Sequence, residues 1–163
     1  IIEGTVRENV VFGQDFHEDR YQQAIKAALL EADLAVLGGD SAYIGSRGVT
    51  LSGGQKARVA MARAAYHPSA ELVVMDDPFA AVDAPTAQAL LERLLLGPLL
   101  RGRTRLVALQ PDAERLRSFD RLLVLEGGAA AAQGTPREVL GAEAFRRLLS
   151  SHSTFPERAV EAA

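Results

Sequence analysis

Apolar side chains in the first fifty residues recur at the spacing of a helix. Tyr21, Ile25 and Leu29 repeat at every fourth position, which would place them along one helical face. Two helix starts are predicted nearby, because Thr5 and Asp15 each carry a side-chain oxygen and are followed three residues later by a glutamate. We therefore expect the first part of the chain to be mainly helical.

From residue 55 onward, helical patterns alternate with short apolar runs. The alanine-rich segment 55–65 predicts a closely packed helix, and the run 72–76 predicts a strand that is covered on both faces. Later strands are expected at residues 104–109 and 121–128 with a short helix between them, and helices at residues 90–95 and from Thr135 onward. The alternation predicts an α/β fold, with a mostly parallel sheet flanked by helices in the C-terminal part and an α-helical subdomain before it.

The composition is typical of a soluble globular protein, with 48% apolar and 24% charged residues. A net charge of −3 provides no electrostatic attraction for a polyanion, so we expect no nucleic-acid partner. The absence of cysteine excludes disulfides and thiolate metal sites. No apolar run approaches the ~20 residues that cross a bilayer.

The segment 51–55, with the sequence LSGGQ, is an unusual start for a helix. Ser52 is a good N-cap, whereas Gly53 and Gly54 remove the side chains that would keep a ligand away from the backbone amides. Free amides and the dipole at a helix N-terminus attract anions, phosphate above all. The simpler alternative is a capped helix with a flexible entry and no ligand.

Carboxylates follow the strand predicted at residues 72–76. Asp76 and Asp77 stand at its carboxyl end, where open α/β sheets bind ligands, and a carboxylate there can hold Mg²⁺ through water and phosphate oxygens. Adjacent aspartates also occur at strand ends as loop or capping residues without further function. Asp83 is equally suited to cap a following helix that has Pro85 in its first turn.

Together these segments resemble the nucleotide-binding domains of ABC transporters. The family's signature matches LSGGQ, its magnesium-binding strand and catalytic position match LVVMDD, and its dimer-contact loop matches AAVD. GTVRENVVFG and YIGSRG resemble the exporter-type helical subdomain and the loop before the signature, which in that group face the membrane-spanning part. TRLVALQ resembles the switch strand, and RLLVLEGG and QGTPREVL resemble the closing strands and helix. The resemblance spans nearly the whole chain.

The resemblance implies a P-loop NTPase-type fold and a split ATP site. It implies a helical signature subdomain at residues 1–66, the C-terminal part of the catalytic α/β subdomain at residues 67–150, and a tail at residues 151–163. In the family, two such domains dimerise head to tail, and each signature contacts the ATP that its partner holds. The roles implied here are nucleotide binding in trans by Leu51, Ser52, Gly53, Gly54 and Gln55, Mg²⁺ binding by Asp76, the catalytic-glutamate position at Asp77, the switch-histidine position at Gln110, and dimer contact by Asp83. The family also implies transmembrane partner domains and a place at the cytoplasmic face of a membrane.

Three departures from the family pattern bear on activity. A phosphate loop, G-x-x-x-x-G-K-[ST], is absent, because the only lysines are Lys26 and Lys56 and each is followed by alanine. We therefore expect that the N-terminal portion of the domain is missing and that the chain alone binds ATP weakly. Asp77 replaces the catalytic glutamate and is one methylene shorter, and Gln110 replaces a histidine that can carry a proton.

An intact signature beside an altered catalytic position resembles the first nucleotide-binding domain of ABCC-type, multidrug-resistance-associated exporters. There the signature completes the competent site of the second domain. Two other functions stay open: a regulatory module in which ATP binding gates a channel or partner with little turnover, and a soluble ABC ATPase of translation or chromosome maintenance.

Overall fold

The computed structural model describes residues 1–45 and 50–152, and the chain divides into two compact units, Ile1–Leu109 and Gln110–Ala163. The predicted boundary between residues 66 and 67 falls inside the first unit and stays a prediction. The tail predicted from residue 151 lies outside the described residues from position 153 onward. Within the described parts, no helix is both long and apolar enough to cross a membrane.

The first unit begins with four helices, α1 (Val6–Val11), α2 (Glu18–Ala27), α3 (Glu31–Leu37) and α4 (Gly53–Tyr66). Helix α4 packs on both α1 and α2, and Tyr21, Ile25 and Tyr66 are almost fully buried. Its small side chains permit this close packing, so the helix predicted at residues 55–65 is confirmed. The expected helical character of the first fifty residues is also confirmed among those that the structure describes.

Two details of the helical prediction are wrong. Asp15 does not cap α2, which begins at Glu18 with His17 as an N-cap that makes no side-chain bond. The Tyr66 hydroxyl holds this entry instead, donating to the Asp15 carbonyl at 2.6 Å and accepting from the His17 amide at 2.9 Å. Leu29 does not continue the apolar stripe, because α2 ends at Ala27 and Leu29 has a φ of 57°.

The parallel strands β1 (Leu72–Asp76) and β2 (Thr104–Ala108) complete the first unit, in a register that pairs Val74 with Leu106. Between them run α5 (Ala84–Leu90), a π-helical turn (Leu91–Leu95) and a 3-10 turn (Pro98–Leu100). The described residues cover only one face of strand β1, which corrects the prediction of cover on both faces. Val73 and Met75 are buried, whereas Leu72 and Val74 are more than half exposed, because successive side chains of a strand point to opposite faces.

The second unit contains α6 (Ala113–Leu116), the antiparallel strands β3 (Leu122–Glu126) and β4 (Ala129–Gly134), α7 (Pro136–Leu140) and α8 (Glu143–His152). Its core is formed by Val124, Val139, Ala144 and Phe145. Thr135 and Glu138 form the predicted capping box at the start of α7. The predicted α/β class is confirmed, with a parallel strand pair and flanking helices in the first unit and a hairpin in the second.

Candidate functional site

The start of α4 is a reciprocal capping box. The Gln55 amide donates to the Ser52 hydroxyl oxygen at 3.2 Å, and the Ser52 amide donates to the Gln55 side-chain oxygen at 2.8 Å. The first turn contains no acidic residue, and the amides of Gly53 and Gly54 have no acceptor within the helix. Gly53 is exposed and Gly54 is half-buried, whereas the Leu51 side chain is buried and anchors the segment. The helix start therefore suits an anion, with Leu51 in a supporting position.

Gly54 has a structural role that the sequence did not reveal. A Cβ at this position would lie 2.8 Å from the Ala81 carbonyl oxygen, closer than side chains approach a backbone. A Cβ on Gly53 would meet only the Ala81 Cβ at an ordinary 3.6 Å. The loop that was predicted to contact a dimer partner thus packs on the signature of its own chain, and only a glycine at position 54 permits this approach.

Asp33, on α3, orients the side chains that follow the two glycines. Its Oδ1 accepts from Gln55 Nε2 at 3.0 Å, and its carboxylate forms an ion pair with Arg58, at 3.0 Å between Arg58 Nη2 and Asp33 Oδ2. Arg58 also donates to the carbonyl of Leu29. Sequence reasoning missed Asp33, because it lies 22 residues before Gln55 and no local pattern relates them.

Asp76, the last residue of β1, and Asp77, which follows it, have different surroundings. Asp76 is exposed at the carboxyl end of the strand. Asp77 is half-buried with a φ of 40°, and its amide donates to the Ala108 carbonyl at 3.0 Å, which extends the pairing with β2. A left-handed φ is better tolerated by aspartate than by most residues. The chain then turns through buried Phe79 toward α5.

Asp83 caps α5, as the simpler interpretation predicted. Its carboxylate accepts from the Thr86 amide at 2.8 Å, and Pro85 stands in the first turn. This hydrogen bond from the Thr86 backbone holds the pKa of Asp83 below its usual value. The cap fixes the end of the loop that packs on Gly54.

The donor set after β1 is compatible with Mg²⁺ that is shared with other ligands. Magnesium prefers carboxylate and water oxygens and usually takes one or two carboxylates together with phosphate oxygens. Exposed Asp76 supplies one such carboxylate, and no group of three or more potential ligands occurs among the described residues. The exposed carboxylate of Asp76 therefore fits a metal that also takes oxygens from other molecules as ligands.

Gln110 is the first residue of the second compact unit. It is exposed, and its carbonyl accepts from the Asp112 amide at 2.8 Å. Asp112 in turn caps α6. The assignment of Gln110 to the switch position stays a prediction.

A second surface of the first unit is an open groove of about 790 Å³ around the end of α1. Phe12 and Phe16 are exposed beside it, and Glu3, Arg7 and Glu8 supply charges along its lining. Part of the stretch YIGSRG, which the resemblance also assigned to a membrane-facing surface, lies outside the described residues at positions 46–48. The groove combines exposed aromatic rings with both signs of charge.

The comparisons with known proteins give relatives but no matching family model. The chain is 44% identical over 137 residues to ATP-binding cassette sub-family C member 10 of Homo sapiens, covering 83% of this chain and 9% of that protein. It is 41% identical over 151 residues to the ABC-type transporter cicA of Emericella nidulans, covering 91% and 11%. It is 38% identical over 162 residues to the ABC transporter ATP-binding protein/permease VMR1 of Saccharomyces cerevisiae, covering 97% and 10%. The chain thus spans about a tenth of the length of these relatives.

Proposed function

Because the chain belongs to sub-family C of the ATP-binding cassette transporters, we propose that it is part of a nucleotide-binding domain of an exporter of that family. Its signature, residues 51–55, faces the nucleotide of a second, head-to-tail domain. The observation that carries this proposal is the start of α4, where Gly53 and Gly54 present backbone amides without an acidic side chain in the first turn.

The two glycines, Ser52 and Gln55 of the signature have different tasks in this proposal. The amides of Gly53 and Gly54 donate to phosphate oxygens at the positive end of the helix dipole. The Ser52 hydroxyl oxygen accepts from Gln55, which leaves its proton available for a phosphate oxygen. Gln55 is held by Asp33, so the turn keeps its shape when the anion is absent.

The chain's own nucleotide site contributes Asp76 and Asp77. Asp76 would hold Mg²⁺ there, and the metal would supply positive charge that neutralises the phosphates. Asp77 orients or deprotonates the attacking water, but its side chain is one methylene shorter than that of glutamate, which places the base farther from its target. Turnover at this site is therefore slow, and nucleotide binding there outlasts each cycle of the competent site.

The groove around Phe12 is the contact for the transmembrane domains, so the domain works at the cytoplasmic face of a membrane. Exposed aromatic rings next to charged side chains are typical of protein interfaces. Phe12 and Phe16 are both more than two-fifths exposed, and Arg7 lies over the Phe16 ring at 4.9 Å. The signature forms the start of α4, and Arg63 near the end of α4 contacts Phe12 in the groove. Helix α4 therefore links the nucleotide contact to the contact with the transmembrane domains.

A regulatory module is the second candidate function. Asp77 and Gln110 both depart from the residues of active family members, which favours nucleotide binding over rapid hydrolysis. In this case ATP gates a channel or an associated partner, and hydrolysis contributes little.

The test is ATP hydrolysis by the full-length protein that contains this region. Ser52→Ala and Thr135→Ala each remove the hydroxyl of a capping box, at about 1 kcal/mol of stability. We expect Ser52→Ala to reduce turnover roughly tenfold or more, because it also removes a phosphate donor, whereas Thr135→Ala reduces it less than about twofold. Asp77→Glu should raise turnover. Equal effects of the two capping variants would contradict the exporter proposal, and negligible turnover in every variant would favour the regulatory module.

A further inference from the structure

Asn9 is fully buried in α1 and is satisfied on every side. Its side-chain nitrogen donates to the carbonyls of Ile2 and Thr5 at 3.0 and 2.9 Å, and its side-chain oxygen accepts from the Ile2 amide at 2.8 Å. A buried side-chain amide with four hydrogen bonds specifies a single geometry, because every lost bond leaves a polar group desolvated. The partner in the fourth bond belongs to a different helix.

Arg63, on α4, is that partner. Its Nη2 donates to the Asn9 side-chain oxygen at 2.8 Å, and its Nε donates to the Asn9 carbonyl at 2.6 Å. These two bonds require the planar fork of a guanidinium, which lysine lacks. Burial lowers the pKa of Arg63, because it removes part of the water that would solvate the guanidinium charge.

The same guanidinium lies over the Phe12 ring, with its central carbon 4.2 Å from the ring centroid. Phe12 ends α1 in a left-handed conformation with a φ of 47°, and its side chain is 49% exposed. One face of the ring is thus covered by a cation from α4, while much of the side chain remains open to the groove. Arg63 therefore determines where this exposed ring stands.

We propose that Arg63 is a positioning residue that makes the Phe12 ring move together with the signature helix. Ten residues separate Arg63 from Gly53 on the continuous helix α4, a distance of about 15 Å at 1.5 Å per residue. When the start of α4 shifts toward a nucleotide, Arg63 moves with it because both lie on one helix. Its hydrogen bonds to Asn9 and its contact with the Phe12 ring then move the end of α1 and the ring as well. The proposal rests on the proposed function, because it assumes that the signature meets a nucleotide and that the groove meets the membrane domains.

The experiment reports the motion of the groove when nucleotide binds. A fluorophore is attached to a cysteine introduced by Gln14→Cys in the lining of the groove. The variant is made in the full-length protein, where any cysteine outside this region is replaced; this region itself contains none. Mg²⁺ and ATP are titrated and the amplitude and midpoint of the fluorescence change are recorded. We expect Arg63→Lys to reduce the amplitude roughly threefold or more with the midpoint unchanged, because nucleotide contacts are retained and coupling is lost.

Two further variants separate positioning from simple loss of stability. Arg20→Lys is a matched control. Arg20 is also partly buried and donates three bonds, to the carbonyls of Ala65, Tyr66 and His67, whereas the cation over the Phe12 ring belongs to Arg63. It should keep the amplitude at a similar cost in thermal stability. Phe12→Leu should reduce the amplitude, and adding Arg63→Lys to it should reduce it no further.

The outcomes distinguish this proposal from the proposed function. No fluorescence change in the otherwise unaltered protein would argue against the proposed function itself. A normal change that Arg63→Lys leaves intact, or that Arg20→Lys reduces equally, would overturn the role of Arg63 alone.

Discussion

The two adjacent glycines of the signature have different physical reasons to be glycine. Gly54 is required by its own chain, because the Ala81 carbonyl occupies the space that a side chain would need. Gly53 is exposed and has room for a methyl group, so packing against the described residues does not require a glycine there, and an external ligand is the reason that we propose. A pair that looks uniform in sequence thus separates into one position where packing requires a glycine and one where it does not.

This difference predicts opposite effects of alanine. Gly54→Ala should destabilise the chain by about 1–3 kcal/mol, the usual cost of overpacking against backbone that must move. Gly53→Ala should be neutral or should stabilise by up to about 1 kcal/mol, since alanine favours the helix. Urea unfolding midpoints measure both variants. A Gly53→Ala midpoint as low as that of Gly54→Ala would show that the Ala81 contact does not decide the outcome.

At the scale of elements, three helices share one capping geometry but differ in its chemistry. Thr5 with Glu8, Ser52 with Gln55, and Thr135 with Glu138 each form a reciprocal box. Hydrogen bonds from the backbone and then the side chain of the capping threonine lower the pKa of Glu8 and of Glu138. Gln55 does not titrate, so the capping box of the signature helix itself contains no ionisable side chain.

The acidic boxes predict a loss of stability in acid. A carboxyl whose pKa is lower in the folded than in the unfolded chain stabilises the fold above the unfolded pKa, about 4.3 for glutamate, and this stabilisation is lost as pH falls through the folded pKa. We expect the double variant Glu8→Gln and Glu138→Gln to lose less thermal stability between about pH 5 and pH 3 than the unaltered chain.

The control for the acid experiment is Glu71→Gln, which alters an exposed glutamate that caps no helix. It removes one formal negative charge, as each capping substitution does, but removes no capping bond. A double capping variant with the same acid sensitivity as the unaltered chain would mean that other carboxylates dominate the effect.

At the scale of the whole molecule, the parallel strand pair has one apolar face that the described residues leave uncovered. Val74 and Leu106 are register partners, and they are 62% and 60% exposed. Leu72 lies two residues before Val74 on β1, so its side chain, which is also exposed, lies on the same face. Contiguous exposed apolar side chains differ physically from scattered single ones, because only a patch can bury a substantial area against another surface.

We expect the isolated chain to self-associate through this face in a concentration-dependent way. Replacing Val74 and Leu106 together by serine should shift sedimentation profiles toward the monomer. The matched control is Val36→Ser, which removes an 86% exposed apolar side chain from α3. Association that persists in the double variant, or that Val36→Ser also abolishes, would contradict an assignment to the sheet face.

Local rules predicted much of the fold and placed most of the candidate site on its elements. The spacing of Thr5 and Glu8, the alanines of α4 and the apolar run of β1 each act within a few residues, and their elements formed as expected. Asp15 failed as a cap because Tyr66, 51 residues later, holds its carbonyl. A local sequence pattern cannot include a hydrogen-bond partner that is so distant in sequence.

The sequence by itself determined the α/β class, the starts of α1, α4, α5 and α7, and the order of the motifs. Hydrogen bonds within a turn and the period of apolar side chains are local properties. Tertiary structure alone decided that Ala81 meets Gly54, that Asp33 holds Gln55, and that Arg63 reaches Asn9 and Phe12. These contacts join residues on different elements, so they exist only once packing has brought the elements together. The close approach of backbone and the fork of an arginine then depend on distances that no linear spacing encodes.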